Sequence, residues 1–232
     1  MVPAKLTVSL MTPTECALCP ARDIGLFSDL VGADRKRLHE RLRHMHGPAG
    51  TTLFAAGEAG HDLFIIRAGL VKLMKYARDG SVRIVRLARP GDVVGLGQII
   101  RKQHGHTARA MTTFDACRVP LDLVSHDLHR IEGLERKLFH QWQTAIEAAD
   151  TFLTELSTGT AHERVARLLL YLLNTSDQPL CPAISREEMG ELLGITTETA
   201  SRVIAEFKRS GIISESDELF QCETGRLEQA AG

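Results

Sequence analysis

A glutamate, a serine and an arginine stand close together in the segment Thr197-Glu-Thr-Ala-Ser-Arg202 and could hydrogen-bond to nucleic-acid bases. Glu198 and Arg202 are four residues apart, so a helix would place them on one face with Ser201 beside them. A carboxylate can accept a hydrogen bond from the amino group of cytosine, and a guanidinium can donate to guanine O6 and N7. Alternatively, Glu198 and Arg202 are a solvent-facing pair that stabilises its helix by only about 0.2–0.5 kcal/mol.

Two short helices joined by a tight turn are predicted for residues 185–211, and they would position these side chains. Ser185 followed by Glu188 forms a capping box at the start of the first helix, and Gly194 suits the left-handed residue that ends it. Thr196 can cap the second helix. The inner face of the second helix is apolar and consists of Ala200, Val203, Ile204 and Phe207. This arrangement is a helix-turn-helix, whose second helix enters the major groove of DNA.

The predicted outer surface of this motif is polar. The candidate DNA-binding residues are Ser185, Arg186, Thr197, Glu198, Ser201, Arg202 and Lys208. Because the net charge of the chain is −1, no global basic field favours nucleic acid. Affinity for DNA must therefore come from a local basic patch, such as the one formed by Arg186, Arg202, Lys208 and Arg209.

The composition bounds the class of protein. The chain has 232 residues, of which 44% are hydrophobic and 25% charged, which is typical of a globular protein of one or two domains. No apolar run approaches the ~20 residues needed to span a bilayer, so we expect no membrane association. The start of the chain is a poor secretion signal, and five cysteines with a DNA-binding motif favour the reducing cytoplasm without structural disulfides.

Residues 50–124 are predicted to form a small antiparallel roll or jelly roll, because short apolar runs alternate with glycine-containing breaks. The predicted strands are 51–54, 63–67, 70–76, 82–87 and 117–121. Asp79-Gly80 lies between two of them and indicates a hairpin turn. Before the roll, Leu38, Leu42 and Met45 predict an amphipathic helix within residues 23–46.

A long helix is predicted over residues 133–157. Apolar residues recur along it at alternating spacings of four and three, namely Leu138, Trp142, Ala145, Ala149, Phe152 and Leu156. Such a seam favours a second helix facing it, and hence a dimer. The flanking face with Ile146 and Leu153 is expected to pack on the roll of the same chain.

The segment T-E-T-A-S-R resembles the recognition helix of the Crp/Fnr family of bacterial transcription regulators. In the Fnr branch a Glu, a Ser and an Arg at this spacing read TTGAT-type half-sites of an inverted repeat, which implies these roles for Glu198, Ser201 and Arg202. The Crp branch has an additional Arg where this chain has Thr197, so the Fnr-like half-site is favoured. The order G-x-x-x-D-L-F-I-I-R-x-G, then D-G, then P-G-D-V-V-G, is similar to the sensor roll of the same family.

The resemblance implies an α+β architecture with a cyclic-nucleotide-binding-type β-roll, a long dimerisation helix and a C-terminal winged helix-turn-helix. The expected divisions are an N-terminal segment over 1–22, the roll over 23–132, the dimerisation helix over 133–158 and the DNA-binding domain over 159–232. The expected partners are double-stranded DNA, a second copy of the chain and RNA polymerase. A redox, oxygen, gas or small-molecule signal in the roll would shift the dimer helices.

Cys16 and Cys19 form a pair whose thiolates could converge on a metal or an iron–sulfur cluster. In the Fnr branch three N-terminal cysteines and a distant fourth hold such a cluster, and Cys117 lies where the fourth is expected. The third N-terminal cysteine is missing from this chain. A cluster with one non-cysteine ligand, redox use, and Cys117 as a small buried hydrophobe all stay open. Cys181 and Cys222 are isolated in sequence and receive no role.

Cyclic nucleotide binding is not expected. Family members that bind cyclic nucleotides carry an acidic residue for the ribose and an arginine for the phosphate, where this chain has Leu96 and Thr107. Arg109 is two residues away and could compensate, because it would share a strand face with Thr107. Enzymatic activity is not expected either, since the sequence contains no phosphate-binding Walker loop and no nucleophile elbow. The alternatives are a regulator without an effector, a cyclic-nucleotide-dependent regulator of the same fold, and a β-roll that only binds metal.

Overall fold

The computed structural model describes residues 6–10, 26–27, 36, 40–127, 130–131, 133–173, 180–216 and 219–232. The chain divides into two compact units, Met1–Lys75 with Arg86–Ile146 and Tyr76–Val85 with Glu147–Gly232. The structure contains both helices and sheets, arranged as a roll followed by a winged helix-turn-helix. This confirms the predicted α+β fold class. Among the described helices, none has the length and apolar character needed to cross a bilayer.

Two antiparallel sheets build the roll. One has the strand order β1-β2-β9-β4-β7 and the other β3-β8-β5-β6. The strands are β1 (Thr7–Leu10), β2 (Arg43–Gly47), β3 (Thr52–Phe54), β4 (Asp62–Ala68), β5 (Val71–Tyr76), β6 (Val82–Ala88), β7 (Val93–Val94), β8 (Thr107–Ala110) and β9 (Phe114–Pro120). The central β4 is an almost continuous apolar run because both of its faces are covered.

The hairpin turn between β5 and β6 is confirmed. Gly80 has a φ of +82°, a conformation that costs glycine little. The Asp79 carboxylate accepts hydrogen bonds from the backbone N–H and the hydroxyl of Ser81, at 2.9 and 2.7 Å. These bonds lower the pKa of Asp79, with the hydroxyl of Ser81 contributing most.

The predicted helix over residues 23–46 is wrong at its C-terminal end, because Arg43–Gly47 is strand β2. Leu42 and Met45 have helical spacing, but Met45 is buried between neighbouring strands while His44 and His46 are only half-buried. Strand β2 pairs with both β1 and β9, and these long-range ladders override the local pattern. Leu38 lies outside the described residues.

The core of the roll includes side chains from three helical segments. These are a 3₁₀ turn (Leu96–Ile99), α1 (Leu121–Asp127) and the start of α2 (Leu134–Thr151). Leu134 and Leu138 of α2 belong to the same apolar cluster as Leu63, Val93 and Val119 of the roll. The side chain of Gln141 accepts a hydrogen bond from the backbone N–H of Val93 at 3.1 Å, so the first half of α2 docks firmly on the roll.

The long helix exposes the apolar face that was expected to be covered by the roll. Leu138, Phe152 and Leu156 of the predicted seam are buried within the chain, and the Phe152 ring lies edge-on to Tyr171 with centroids 5.9 Å apart. The expectation that Ile146 and Leu153 pack on the roll is wrong, because these side chains are 55% and 68% exposed. Both faces of this helix are apolar, so the heptad spacing alone could not decide which one the chain covers. After Thr151 the helix continues as one π-helical turn (Phe152–Leu156).

The second unit is a winged helix-turn-helix. Its elements are α3 (Ala161–Leu173), β10 (Leu180–Pro182), α4 (Arg186–Leu193), α5 (Thr197–Arg209), β11 (Ile213–Ser216), β12 (Leu219–Cys222) and α6 (Thr224–Ala231). The predicted wing hairpin is confirmed as β11 and β12, and β10 joins them in the order β10-β12-β11. The apolar face of α3 and the rings of Phe207 and Phe220 are fully buried. Helix α6 was not predicted, because it is short and has Gly225 in its first turn.

Candidate nucleic-acid interface

Helix α4 begins and ends as its sequence predicts. The Ser185 hydroxyl accepts a hydrogen bond from the N–H of Glu188 at 3.1 Å, and the Glu188 carboxylate accepts from the N–H of Ser185 at 3.1 Å. Gly194 ends the helix in the left-handed region with a φ of +65°. The predicted capping box and turn are therefore present, and the hydroxyl of Ser185, a predicted DNA contact, is already engaged in the cap.

A second glycine of the turn was not recognised from the sequence. A Cβ on Gly190 would lie 2.8 Å from the carbonyl oxygen of Ile195, which is closer than real Cβ contacts come. Gly190 thus permits the close approach of α4 to the turn that precedes α5. The sequence could have indicated this role of Gly190, because an isolated glycine inside a helical pattern usually has a packing reason.

Helix α5 exposes one face and buries the other. Thr196 caps it by accepting a hydrogen bond from the N–H of Thr199 at 3.2 Å. The predicted inner residues Ala200, Val203, Ile204 and Phe207 are all buried. The predicted DNA-binding residues Thr197, Glu198, Ser201 and Arg202 are all exposed. Burial of the apolar face thus holds these four side chains outward on a rigid support.

The two charged candidates for base reading, Glu198 and Arg202, are not paired with each other. Within the described part of the chain neither Glu198 nor Arg202 forms an ion pair, and Arg202 donates to the Thr199 hydroxyl at 3.3 Å. The pKa of Glu198 is lowered, chiefly by its own backbone N–H at the positive helix end and by the Thr196 hydroxyl. Glu198 is therefore an ionised acceptor at neutral pH, as a contact to the cytosine amino group requires.

The wing carries a carboxylate that sequence reasoning missed. Glu215 on β11 accepts a hydrogen bond from Arg186 at 3.2 Å and another from Lys208 on the same oxygen. These bonds lower the pKa of Glu215, with the Lys208 ammonium contributing most. The guanidinium of Arg186 also lies over the Phe220 ring, 5.4 Å from its centroid. Two predicted DNA-contacting cations are thus held by one wing residue.

Two further arginines brace the unit from inside. Arg164 on α3 donates to the carbonyl oxygen of Leu193 at 2.8 Å, at the end of α4. Arg167 donates to the carbonyl oxygens of Glu155, Thr158 and Ala231 at 2.9–3.0 Å. These bonds tie the end of the long helix and the end of α6 to α3, and thereby fix the support on which α4 and α5 rest.

The roll residues that bear on a sensor ligand and lie in the described part of the chain are engaged in packing or in backbone hydrogen bonds. Cys117 is buried in the apolar cluster, while Cys16 and Cys19 lie outside the described residues. Leu96 is buried, and the Thr107 hydroxyl accepts a hydrogen bond from the N–H of Ala56 at 3.0 Å. Arg109 donates to the carbonyl oxygen of Gly50 at 2.8 Å. Across the described ranges no three His, Cys, Asp or Glu side chains are grouped so as to hold a metal ion.

The fold and this surface together define a class of protein, in which a β-roll of the cyclic-nucleotide-binding type is followed by a winged helix-turn-helix. The sequence matches the cyclic nucleotide-binding domain over residues 45–126 and the Crp-like helix-turn-helix domain over residues 163–230. It is 30% identical over 172 residues to the fumarate and nitrate reduction regulatory protein of Vibrio cholerae, covering 71% of this chain and 68% of that protein. The chain belongs to the Crp/Fnr family of transcription regulators.

Other relatives agree with this assignment. The transcriptional activator protein anr of Pseudomonas aeruginosa is 27% identical over 216 residues, or 90% of this chain and 88% of that protein. The anaerobic regulatory protein of Haemophilus influenzae is 28% identical over 168 residues, and the match spans 70% of this chain and only 65% of that protein. The fold is similar to that of FixK2 from Bradyrhizobium japonicum, with a TM-score of 0.73 and 23% identity over 82% of this chain and 96% of that one.

Proposed function

We propose that this chain is a sequence-specific DNA-binding regulator of transcription that acts as a homodimer in the cytoplasm, without enzymatic activity. The observation that carries the proposal is the division of α5 into a fully buried apolar face and an exposed polar face. On the exposed face, Glu198, Ser201 and Arg202 lie together near the N-terminus of the helix, the part that reaches base edges in helix-turn-helix proteins.

The proposed half-site is TTGAT-like. Arg202 is positioned to donate two hydrogen bonds to a guanine, and the ionised Glu198 accepts from a cytosine amino group on the complementary strand. Neither side chain has to break an ion pair within the described structure to do so. Ser201 is exposed beside them and Thr197 occupies the position at which the Crp branch carries an arginine.

Phosphate contacts are proposed for Arg186 and Lys208, which lie at the start of α4 and the end of α5. Such contacts supply affinity and fix the orientation of the protein on the duplex without reading sequence. Since the single Glu215 carboxylate pairs with both cations in the free protein, phosphate oxygens would replace it when DNA binds. The wing thus lowers affinity for duplexes in general and leaves the base contacts of α5 unaffected.

Dimerisation is proposed to use the exposed apolar face of the long helix. Phe139, Ile146 and Leu153 recur every seven residues and are 61%, 55% and 68% exposed. Trp142 and Ala149 fall between them at spacings of three and four and are half-buried. This is the spacing of a coiled-coil seam, and a second copy of the same helix is its self-complementary partner. A two-fold dimer then presents two α5 helices to successive major grooves, roughly 34 Å apart.

The signal is proposed to act through the roll, and the proposed function does not depend on an iron–sulfur cluster or a cyclic nucleotide. Cys117 is packed among apolar side chains, which fits a small hydrophobe. Leu96 offers no carboxylate for a ribose, and Arg109 is bound to a backbone carbonyl. An effector-independent regulator, or one that responds to redox state, oxygen or a gas, is consistent with these residues. RNA polymerase is the proposed partner in transcription.

Selection of bound duplexes from a random pool, with and without oxygen, tests the function. We expect an inverted repeat of TTGAT-like half-sites whose centres are one helical turn apart. A visible spectrum of anaerobically purified protein distinguishes an iron–sulfur or haem signal from none. A folded dimer that enriched no sequence under either condition would refute the proposal.

A further inference from the structure

Two cysteines that are 41 residues apart in sequence, and for which the sequence indicated no role, meet inside the second unit. Cys181 lies on β10 and Cys222 on β12, and their Sγ atoms are 4.0 Å apart. Both side chains are buried and both thiols are free. The pair lies in the wing sheet, one strand away from Glu215.

The two thiols are close to bonding distance but not at it. In the register of the sheet Cys181 faces Phe220, and Cys222 is two residues further along β12. A disulfide needs an S–S distance of about 2.05 Å, so the sulfurs must approach by roughly 2 Å. Strand β10 can supply this shift, because it has three residues, lies at the sheet edge and contains Pro182, which has no N–H to donate. Such short edge strands open locally at low cost, which also admits a small oxidant.

The chemistry of the pair is asymmetric. A hydrogen bond from the Cys181 thiol lowers the pKa of Cys222, while burial opposes this effect. The same pairing raises the pKa of Cys181. Cys222 is therefore the thiol that reaches the reactive thiolate form more readily, and Cys181 is placed to react with it afterwards.

We propose that Cys181 and Cys222 form a reversible disulfide when a peroxide oxidises the protein. The Cys222 thiolate attacks one peroxide oxygen; an S–O bond forms, the O–O bond breaks and the leaving hydroxide takes up a proton to become water. The Cys181 sulfur then attacks Sγ of the Cys222 sulfenic acid, forming the S–S bond and releasing a second water. Two thiols lose two electrons in total and one hydrogen peroxide is reduced to two waters.

The disulfide would weaken DNA binding, a consequence that rests on the proposed function. Strand β10 leads through Pro182 directly into Ser185, the cap of α4. Strand β12 carries Phe220 beneath the Arg186 guanidinium. Drawing the two strands together therefore shifts the start of α4 and Arg186 against α5. We expect the oxidised protein to bind its selected duplex about fivefold or more weakly than the reduced protein.

Peptide mapping of the full chain tests the bond itself. Trypsin places the cysteines in different peptides, residues 168–186 and 210–226. After hydrogen peroxide treatment and alkylation of remaining thiols, we expect these peptides linked, and separated again by dithiothreitol. Free alkylated thiols, a sulfinic acid at Cys222, or linkage only to Cys16, Cys19 or Cys117 would each overturn the inference.

Matched variants separate this inference from the proposed function. Cys181→Ser and Cys222→Ser should each abolish the linked peptide and the effect of peroxide on DNA binding, whereas Cys117→Ser should retain both. Wild-type mapping decides the chemistry even where a serine variant does not fold. If reduced wild-type protein bound no duplex, the proposed function would fail while the mapping still decided the disulfide. A disulfide that formed and left affinity unchanged would overturn the regulatory part.

Discussion

Replacing Glu215 by glutamine should make this protein bind DNA more tightly. The change keeps the size of the side chain and removes the charge that holds Arg186 and Lys208. Both cations become available to phosphate without first leaving a carboxylate, and repulsion between Glu215 and the phosphates disappears. The base contacts of α5 are unchanged, so the gain should be the same on a selected site and on random duplex.

The magnitude follows from the exposure of the three side chains, which are 29%, 23% and 39% exposed for Glu215, Arg186 and Lys208. Partly exposed ion pairs contribute about 0.2–1 kcal/mol each. Two such pairs correspond to about 0.4–2 kcal/mol per protomer, which is a factor of about two to thirty in Kd for each protomer that contacts the duplex. If both freed cations neutralise a phosphate, the slope of log K against log salt steepens by up to about 2 per protomer.

Fluorescence anisotropy titrations at several salt concentrations measure both quantities, on the selected duplex and on a scrambled one. Glu228→Gln is the matched control, because Glu228 is an exposed carboxylate on α6 that forms no ion pair within the described residues. A Glu215→Gln protein that gained no more affinity than Glu228→Gln, or bound less tightly, would show that the wing carboxylate orients Arg186 and Lys208 for DNA. That result would refute the proposal that Glu215 competes with DNA phosphates for these two cations.

Three other changes, and the pH dependence of Glu215→Gln, test separate parts of the molecule. Arg202→Ala should lose about 1–3 kcal/mol on the selected site and relax discrimination at one base pair, measured on single-substitution duplexes, whereas equal loss on random DNA would contradict base reading. Lys208→Ala should weaken binding to all duplexes and flatten the salt slope. Ile146→Glu should dissociate the dimer in sedimentation analysis while His140→Glu should not, and a dimeric Ile146→Glu protein would exclude the exposed seam. Because the folded-state pKa of Glu215 is lowered, the stability that Glu215→Gln removes should be constant near neutral pH in urea melts. It should begin to decrease as pH falls below about 4.3, the ordinary pKa of a glutamate, and should vanish below the lowered folded-state pKa; a difference that persisted there would contradict the ion pairs.

The helix-turn-helix could be predicted almost completely from the sequence, because its signals are local. The capping box of Ser185, the left-handed Gly194 and the cap of Thr196 each depend on residues within one helical turn. The 3.6-residue period then assigned the buried and exposed faces of α5 correctly. Hairpin turns also depend on local signals. The turn at Asp79-Gly80 was predictable because the Asp79 side chain accepts a hydrogen bond from the backbone of Ser81 and Gly80 adopts a positive φ.

Tertiary structure decided every feature that depends on contacts between distant segments. Met45 follows Leu42 at a helical spacing, yet Arg43–Gly47 is a strand because β1 and β9 flank it. The long helix has two apolar faces, and only packing on the chain itself covers Leu138 and leaves Ile146 exposed. Glu215 and the pair of Cys181 and Cys222 acquire partners across 7 to 41 residues of sequence. Sequence spacing determines which side chains can share an element, whereas the partners of that element are set by the free energy of packing the whole chain.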